Sequence, residues 1–210
     1  PSASGRNSAP AGLIDHGDFM TQTIRTIPTK MTPPRPGSGA SRRRLEEILR
    51  VDHAGELAAV HIYKGQSMVF SDTPKRDLSA QFSHMQGEEQ VHLDAFEGLL
   101  REKNIRPTAM SPVWRLAALG LGVGTALLGE KAAHACTEAV EEVIADHYAE
   151  QIAELAPSDP ELAARLTQFR DDEIGHHDRA VEQGAREATA YPLLSALIKT
   201  GCRVAIKISE

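Results

Sequence analysis

The chain has 210 residues and a formal net charge of −6, which suits one globular domain with or without a tail. The charge is uneven: residues 1–44 carry +5 and residues 191–210 carry +2, so the body between them carries −13. This acidic body argues against nucleic acid as the main partner. Two cysteines without a CxxC spacing argue against a disulfide scaffold or a thiolate metal site.

Residues 1–41 are rich in Ser, Pro, Gly and Thr and show no apolar periodicity, which predicts a disordered tail. Arginines without glutamates are compatible with a targeting segment, whereas Asp15 and Asp18 weaken that interpretation, and Met20 is an alternative start. A targeting segment and an upstream extension therefore both stay open. The folded domain is expected to span residues 42–208.

Helix punctuation is clear after residue 41. Thr73-Pro74, Ser111-Pro112 and Asp159-Pro160 each place a favourable N-cap residue before a proline at the first helical position. No segment has the alternation of a strand, so the predicted class is all-α. Together with Ser41 and Tyr191-Pro192, these signals predict six helices, at 42–70, 74–103, 112–129, 130–156, 160–187 and 192–208.

Four of these helices carry an apolar stripe that turns polar in its middle. In the first helix, residues spaced alternately by four and three lie on one face and read Leu-Leu-Asp-Glu-Ala-Tyr-Gln-Phe from Leu45 to Phe70. An unpaired buried carboxylate costs on the order of several kcal/mol unless it binds a metal or a partner. Six residues in the middle of the stripes therefore need an explanation: Glu56, Glu89, His92, Glu141, Glu173 and His176.

The two halves of the chain repeat this pattern, which predicts a two-fold internal repeat. The repeat selects Glu141 rather than Glu138 or Glu142, and His176 rather than His177. The pairs separated by 84 or 85 residues are Glu56/Glu141, Tyr63/Tyr148, Gln66/Gln151, Glu89/Glu173 and His92/His176.

One Glu from each of two helices and one Glu-x-x-His from each of two others form the ligand set of di-iron and di-manganese carboxylate bundles. Carboxylates bridge two ions and offset their charge, and each imidazole supplies a neutral nitrogen. The sequence therefore predicts a ferritin-like four-helix bundle with two metal ions. The simpler alternative, a solvated acidic helix with incidental histidines, does not explain the repeat.

Further residues are predicted to lie beside these ligands. Asp52 precedes Glu56 by one turn, and Asp172 directly precedes a ligand glutamate, as Glu88 does in the other half. Such carboxylates can orient ligand histidines, although a solvated position is equally compatible with Glu88 and Asp172. Tyr63 fits either a hydrogen bond near the site or a place in the core.

Two segments are candidates for membrane contact. Residues 116–129 are fourteen uncharged residues, too few for the roughly eighteen that a span requires, and are predicted to form a crossover helix on or slightly in a bilayer. The last helix is predicted to be amphipathic, with Lys199, Arg203 and Lys207 as a basic stripe beside apolar residues. The alternative is a terminal helix packed on the bundle, with its basic side chains reaching into water.

The chain resembles the demethoxyubiquinone hydroxylases of ubiquinone biosynthesis. The resemblance covers about residues 42–208 and implies a di-iron monooxygenase that hydroxylates a polyprenyl methoxy-benzoquinol with O2. It places the family's ligands on the six residues named above, and His147 and Tyr148 near the hydroxylation pocket. The segments that carry it are VDHAGE at 51–56, IYKGQ at 62–66, EEQVHL at 88–93, ACTEAVEEVIADHY at 135–148 and FRDDEIGHHD at 169–178.

The resemblance also implies a peripheral enzyme on the bacterial inner membrane, at its cytoplasmic face, or on the mitochondrial inner membrane, at its matrix face. We expect a homo-oligomer, contact with other ubiquinone-biosynthesis proteins and, in a eukaryote, with a lipid-binding accessory protein. NADH, the quinol itself and a reductase stay open as electron donors. The alternatives are a ferritin-like ferroxidase or iron-binding protein and a di-iron hydroxylase of another substrate.

Overall fold

The computed structural model describes residues 38–210. Of the predicted tail at 1–41, residues 1–37 lie outside the described residues, whereas residues 38–41 belong to the first helix. The described part contains six α-helices, one short 3-10 turn and no strand, which confirms the all-α class. The helices are α1 (Ser38–Ser71), α2 (Arg76–Lys103), α3 (Ser111–Leu127), α4 (Glu130–Leu155), α5 (Pro160–Glu182) and α6 (Tyr191–Ser209), with the 3-10 turn at Ala185–Glu187.

Two helix ends differ from the predicted ones because the residues predicted to lie at or within the helix form a turn instead. Thr73 lies in the turn before α2, where its hydroxyl donates to the Phe70 carbonyl and accepts from the backbone N–H of Lys75. Asp159 caps α5 as predicted, accepting from the Leu162 N–H at 3.1 Å. The predicted fifth helix ends earlier, because Gly184 has a φ of +84° and begins the 3-10 turn.

Four helices form the bundle, with α1 packed on α2 and α4 packed on α5. The remaining two lie outside it, α3 against α1 and α6 against α4. Two buried apolar clusters fill the bundle, one around Phe96 and Leu166 and the other around Phe70 and Phe82. Among the polar residues in the middle of the stripes, only Tyr63 and Tyr148 belong to these clusters. This agrees with the prediction that each stripe turns polar in its middle.

The crossover helix α3 approaches α1 closely through two glycines. A Cβ atom on Gly122 would lie 2.1 Å from the Ile62 carbonyl oxygen, and one on Gly65 would lie 2.7 Å from the Leu119 oxygen. Only glycine permits this backbone contact, which no other residue could make without moving a helix. The glycines of this segment therefore allow α3 to pack tightly on α1.

Candidate metal centre

All six predicted ligands lie together in the middle of the bundle and are at most 4 % exposed. Their oxygen and nitrogen atoms form two overlapping groups, in each of which the ligand atoms lie within 4.8 Å of one another. Glu89 and Glu173 belong to both groups. The first group is completed by Glu56 and His92, and the second by Glu141 and His176.

The two shared glutamates each face both histidines. One oxygen of Glu89 lies 3.5 Å from His92 Nδ1 and the other lies 2.8 Å from His176 Nδ1. Glu173 repeats this arrangement, at 3.2 Å from His92 Nδ1 and 3.6 Å from His176 Nδ1. A carboxylate that turns one oxygen to each of two nitrogen ligands is placed to bridge two metal ions.

The outer nitrogen of each histidine contacts a carboxylate from the opposite pair of helices. His92 Nε2 lies 3.2 Å from an oxygen of Asp172, and His176 Nε2 lies 3.0 Å from an oxygen of Glu88. An Nε2–H that donates to a carboxylate leaves the Nδ1 lone pair directed into the site. Asp172 and Glu88 therefore both occupy positions that orient a ligand histidine.

Two buried tyrosines hold the remaining glutamates across the bundle. The Tyr63 hydroxyl on α1 donates to Glu141 on α4, and the Tyr148 hydroxyl on α4 donates to Glu56 on α1. Both rings are about 1 % exposed. Each of these hydrogen bonds occupies one carboxylate oxygen and leaves the second one for the site.

The inward atoms of the six residues fit two divalent cations. Eight of these atoms make no hydrogen bond although they are buried: both oxygens of Glu89 and Glu173, one oxygen each of Glu56 and Glu141, and Nδ1 of each histidine. Four carboxylates without cations would be costly at this depth. Two divalent ions would balance their charge, and the mixed oxygen and nitrogen donors suit iron or manganese.

The pKa values of the site reflect the excess of buried carboxylates over positive charges. Burial raises the pKa of Glu56 and of Glu141 well above the ordinary range. Burial opposes protonation of His176, but its interactions with Glu173 and Glu89 outweigh this and raise its pKa to about 11. Burial also opposes ionisation of Glu89, yet the neighbouring imidazoles lower its pKa to about 2. Protons on the imidazoles thus supply part of the positive charge that the carboxylates require.

A small cavity adjoins this centre on one side. Its polar walls are Asp52, Glu56, His147 and Tyr148. The hydrogen-bond partner of Asp52 is the Gln151 side-chain amide, at 2.7 Å, rather than a ligand histidine as predicted. Burial raises the pKa of Asp52 to about 8 and lowers the pKa of His147.

A much larger apolar cavity of about 570 Å³ lies between α1, α3, α4 and α6. It shares Val51, Gly55, Ile144 and Ile206 with the small cavity, so the two adjoin one another. Its walls are almost entirely apolar, and Trp114 closes part of it with a hydrogen bond from its indole N–H to the Ser209 hydroxyl. Sequence patterns did not indicate this cavity, because its walls come from four separate helices.

The three basic residues predicted on the last helix do not form one free stripe. Lys199 lies 2.5 Å from Glu142, and its side chain is only 16 % exposed. Arg203 and Lys207 are exposed, and Lys207 lies 2.5 Å from Glu210. Apolar residues that are at least half exposed accompany them on α3 and α6, namely Val113, Leu116, Leu127, Leu193, Leu197, Val204 and Ile208.

Within the described residues, none of the helices combines the length and the apolar character that crossing a membrane demands.

The residues that the repeat rejected as ligands lie outside the six-residue centre. Glu138 accepts a hydrogen bond from the Tyr191 hydroxyl at 2.7 Å, and its nearer oxygen is 3.8 Å from His177. Glu138 therefore contacts α6 and lies 3.8 Å from Arg186 of the 3-10 turn, and His177 lies beside Glu138 rather than in the six-residue centre.

Comparison with known proteins identifies the family. The model of the family "Ubiquinone biosynthesis protein COQ7" matches residues 43–209. A relative from Caenorhabditis elegans named "NADPH-dependent 3-demethoxyubiquinone 3-hydroxylase, mitochondrial" is 47 % identical over 178 residues, covering 82 % of this chain and 94 % of the relative. The human protein of the same name is 44 % identical over 174 residues, covering 81 % of this chain and 79 % of its own.

A bacterial relative agrees with these two. The "3-demethoxyubiquinol 3-hydroxylase" of Rhodospirillum rubrum is 43 % identical over 176 residues, covering 83 % of this chain and 82 % of the relative. The matched region includes all six ligand positions and both cavities. The chain therefore belongs to the COQ7 family of ubiquinone biosynthesis proteins.

Proposed function

We propose that this protein is a di-iron monooxygenase that uses O2 to hydroxylate the ring of a demethoxyubiquinol, a polyprenyl methoxy-benzoquinol. The observation that carries the proposal is the combination of two carboxylates that each face two histidines with an apolar cavity beside them. The relatives named as demethoxyubiquinone and demethoxyubiquinol hydroxylases support this substrate.

Six residues would hold the metal pair. Glu89 and Glu173 would bridge, while Glu56 with His92 and Glu141 with His176 would each complete one ion. When bound, iron supplies the redox chemistry with O2, which protein side chains do not perform. The chain's own contribution is to orient the ligands through Asp172, Glu88, Tyr63 and Tyr148 and to keep bulk water away.

The apolar cavity would bind the substrate. Its volume of about 570 Å³ lies within the usual range of roughly 300–1,000 Å³ for small-molecule sites and accommodates the ring with the beginning of its isoprenoid tail. His147 and Tyr148 line the small cavity that joins it to the metal centre. The ring would therefore approach the metals from the side of Glu56, where the cavity opens.

We further infer a peripheral position on a membrane, because the isoprenoid tail is insoluble in water. Exposed apolar residues of α3 and α6 lie on the two helices that wall the cavity. Arg203 is exposed to contact anionic lipid, and the exposed Lys207 could do so by exchanging its pairing with Glu210 for a lipid phosphate. Lys199 is better placed to hold α6 on α4 through Glu142. The mitochondrial inner membrane and the bacterial inner membrane both fit, in line with mitochondrial and bacterial relatives.

A nicotinamide nucleotide is the proposed electron source. NADH fits this class, and the names of the animal relatives specify NADPH. Contact with other ubiquinone-biosynthesis proteins, including a lipid-binding accessory protein, and formation of a homo-oligomer stay predictions.

Quinone analysis in cells that lack the protein tests the proposal. We expect the demethoxy precursor to accumulate, and wild-type protein but not Glu173→Ala should restore the normal quinone. A normal quinone pool in the deleted cells would reject the function. Ferroxidase activity, the oxidation of iron(II) by O2, is the second candidate, since a ligand set of this kind holds two metal ions in ferritin-like bundles. The adjoining apolar cavity disfavours it, and iron oxidation by purified protein without any hydroxylated quinol would support it.

A further inference from the structure

Gln151 organises the polar end of the small cavity. One hydrogen of its side-chain amide is donated to Asp52 Oδ1 at 2.7 Å, and the other faces His147 Nε2 at 2.9 Å. His147 Nε2 is therefore the acceptor, which places the imidazole proton on Nδ1. Gln151 is about 1 % exposed and thus holds both side chains from within the bundle.

This arrangement leaves one oxygen of Asp52 without a partner. Asp52 is 4 % exposed, and its Oδ2 atom makes no hydrogen bond. An unpaired buried carboxyl oxygen costs roughly 1–3 kcal/mol or more. The small cavity that it lines has a volume of about 20 Å³, which is room for one oxygen atom of a ligand but not for a ring. Its other polar walls are less free, because Glu56 and Tyr148 are bonded to each other.

The arrangement exists on one side of the metal centre only. The positions 85 residues away from Asp52 and His147 are Thr137 and Ile62. Ile62 is apolar, and Thr137 has a buried hydroxyl without a hydrogen-bond partner but neither a carboxyl nor a bond to a glutamine. Gln66, the counterpart of Gln151, donates to the Ala133 carbonyl instead. The tyrosine–glutamate bonds that hold the ligands occur on both sides, so holding the ligands does not require Asp52. The asymmetry matches the one side on which the apolar cavity opens.

We propose that Asp52, held by Gln151, binds a ring oxygen of the substrate and thereby sets which edge of the ring faces the metal centre. This inference rests on the proposed function, because it assigns a contact within the same substrate site. A benzoquinol carries hydroxyl groups on opposite ring carbons. With its ring in the apolar cavity, one hydroxyl reaches Asp52 Oδ2 through the small cavity. The hydrogen bond would complete the partners of the buried carboxyl.

The test compares a methoxy-methyl-benzoquinol that carries a decyl chain with the same molecule in which both ring hydroxyls are methylated, which keeps the ring oxygens but removes both O–H donors. Binding to the metal-loaded full chain under nitrogen is followed by fluorescence, since the only tryptophan, Trp114, lines the cavity. At about pH 9, where Asp52 with its pKa of about 8 is mostly ionised and can accept from the quinol, we expect wild type to bind the quinol about tenfold more tightly than its dimethyl ether, which has no hydroxyl to donate. This is the ratio that one hydrogen bond of about 1.4 kcal/mol provides.

Asp52→Val should bind both ligands about equally, at about the affinity of the ether. Asp52→Asn should also lose most of the preference, because its oxygen stays with the Gln151 amide and the NH2 group that then faces the cavity donates to hydroxyl and ether oxygens alike. Thr137→Val is the matched control and should behave like wild type. Should Asp52→Val fail to fold, Gln151→Met, which frees the carboxyl from its orienting bond, should also reduce the preference. A full preference for the quinol in Asp52→Val, or in Gln151→Met where Asp52→Val does not fold, overturns the inference but leaves the proposed function standing. No binding of either ligand by wild type overturns both.

Discussion

Glu89 and Glu173 lie on different halves of the bundle, and each turns one oxygen toward His92 and the other toward His176. This reciprocal geometry predicts that neither ion binds well when one bridge is lost. Glu89→Gln and Glu173→Gln should each reduce the metal content of purified protein from two ions per chain to fewer than one. Glu142→Gln, in the outer ion pair with Lys199, is the control and should retain both ions. Elemental analysis of iron-supplemented protein measures this, and full loading of the bridge variants would contradict it.

Tyr63 and Tyr148 both bond a candidate ligand glutamate, but only Tyr148 is proposed to face the substrate, so their phenylalanine variants separate the two roles. Tyr63→Phe and Tyr148→Phe each remove the hydroxyl donor of a buried glutamate, so each should lower the free energy of unfolding by about 1–3 kcal/mol. Only Tyr148 lines the small cavity. Tyr148→Phe should therefore reduce hydroxylation of bound quinol well beyond the effect of Tyr63→Phe. Single-turnover rates on metal-loaded protein measure this, and equal losses would argue against a substrate-side role of Tyr148.

Asp52 predicts a specific dependence of stability on pH. Because burial raises its pKa from an ordinary value near 3.8 to about 8, the folded protein keeps a proton that the unfolded chain releases. The stability of wild type should thus fall relative to Asp52→Asn as pH rises from about 4 to about 8, by at most about 1.4 kcal/mol per pH unit. Urea unfolding of metal-free protein at pH 5 and pH 7 checks this. A difference that is constant or grows in favour of wild type would contradict it.

The contact between α1 and α3 predicts opposite effects at two neighbouring glycines. Gly122→Ala would place a methyl group 2.1 Å from the Ile62 carbonyl oxygen, so it should destabilise the protein by roughly 1–3 kcal/mol or more. Gly120→Ala has nothing within 4 Å and should stabilise α3 by up to about 1 kcal/mol. Thermal unfolding of both variants measures the difference, and a harmless Gly122→Ala would show that the helices can separate.

Membrane contact is testable on the outer helices. The double variant Arg203→Gln/Lys207→Gln should weaken binding to anionic vesicles, by about 1 kcal/mol for each charge removed near the surface. The pair Leu193→Ser/Leu197→Ser should weaken binding to neutral vesicles as well, because both side chains are 63 % exposed. Lys199→Gln should alter stability more than binding. Vesicle sedimentation distinguishes these results, and unchanged binding of both doubles would remove α6 from the proposed membrane face.

Features of this protein that depend on residue spacing along the chain could be predicted from the sequence. That the six residues of the candidate metal centre lie together could be predicted from sequence, because i,i+3 spacing and an offset of 84 or 85 residues are properties of the chain itself. Their role as metal ligands stays a prediction. The all-α class followed from the same periodicity, whereas the internal repeat of the fold stays a prediction. The structure shows contacts in pairs, such as Tyr63 to Glu141 and Tyr148 to Glu56, that obey this offset.

Side-chain contacts and cavities formed by residues from different helices could not be predicted from the sequence. The pairing of Lys199 with Glu142 spans 57 residues, so a stripe on one helix gave no sign of it. The partner of Asp52 is Gln151, 99 residues away, although the repeated Gln66 and Gln151 did mark this position as unusual. The apolar cavity required α3 and α6 to be placed on the bundle first.

The crossed contacts between the two halves have a consequence for assembly. Glu141 is held by Tyr63, Glu56 by Tyr148, His176 by Glu88 and His92 by Asp172, and in every case the two residues come from opposite halves. An α1–α2 hairpin or an α4–α5 hairpin alone would thus have ligands without the groups that orient them. If the proposed iron site is correct, full retention of iron would therefore require that both halves of the chain have folded and docked.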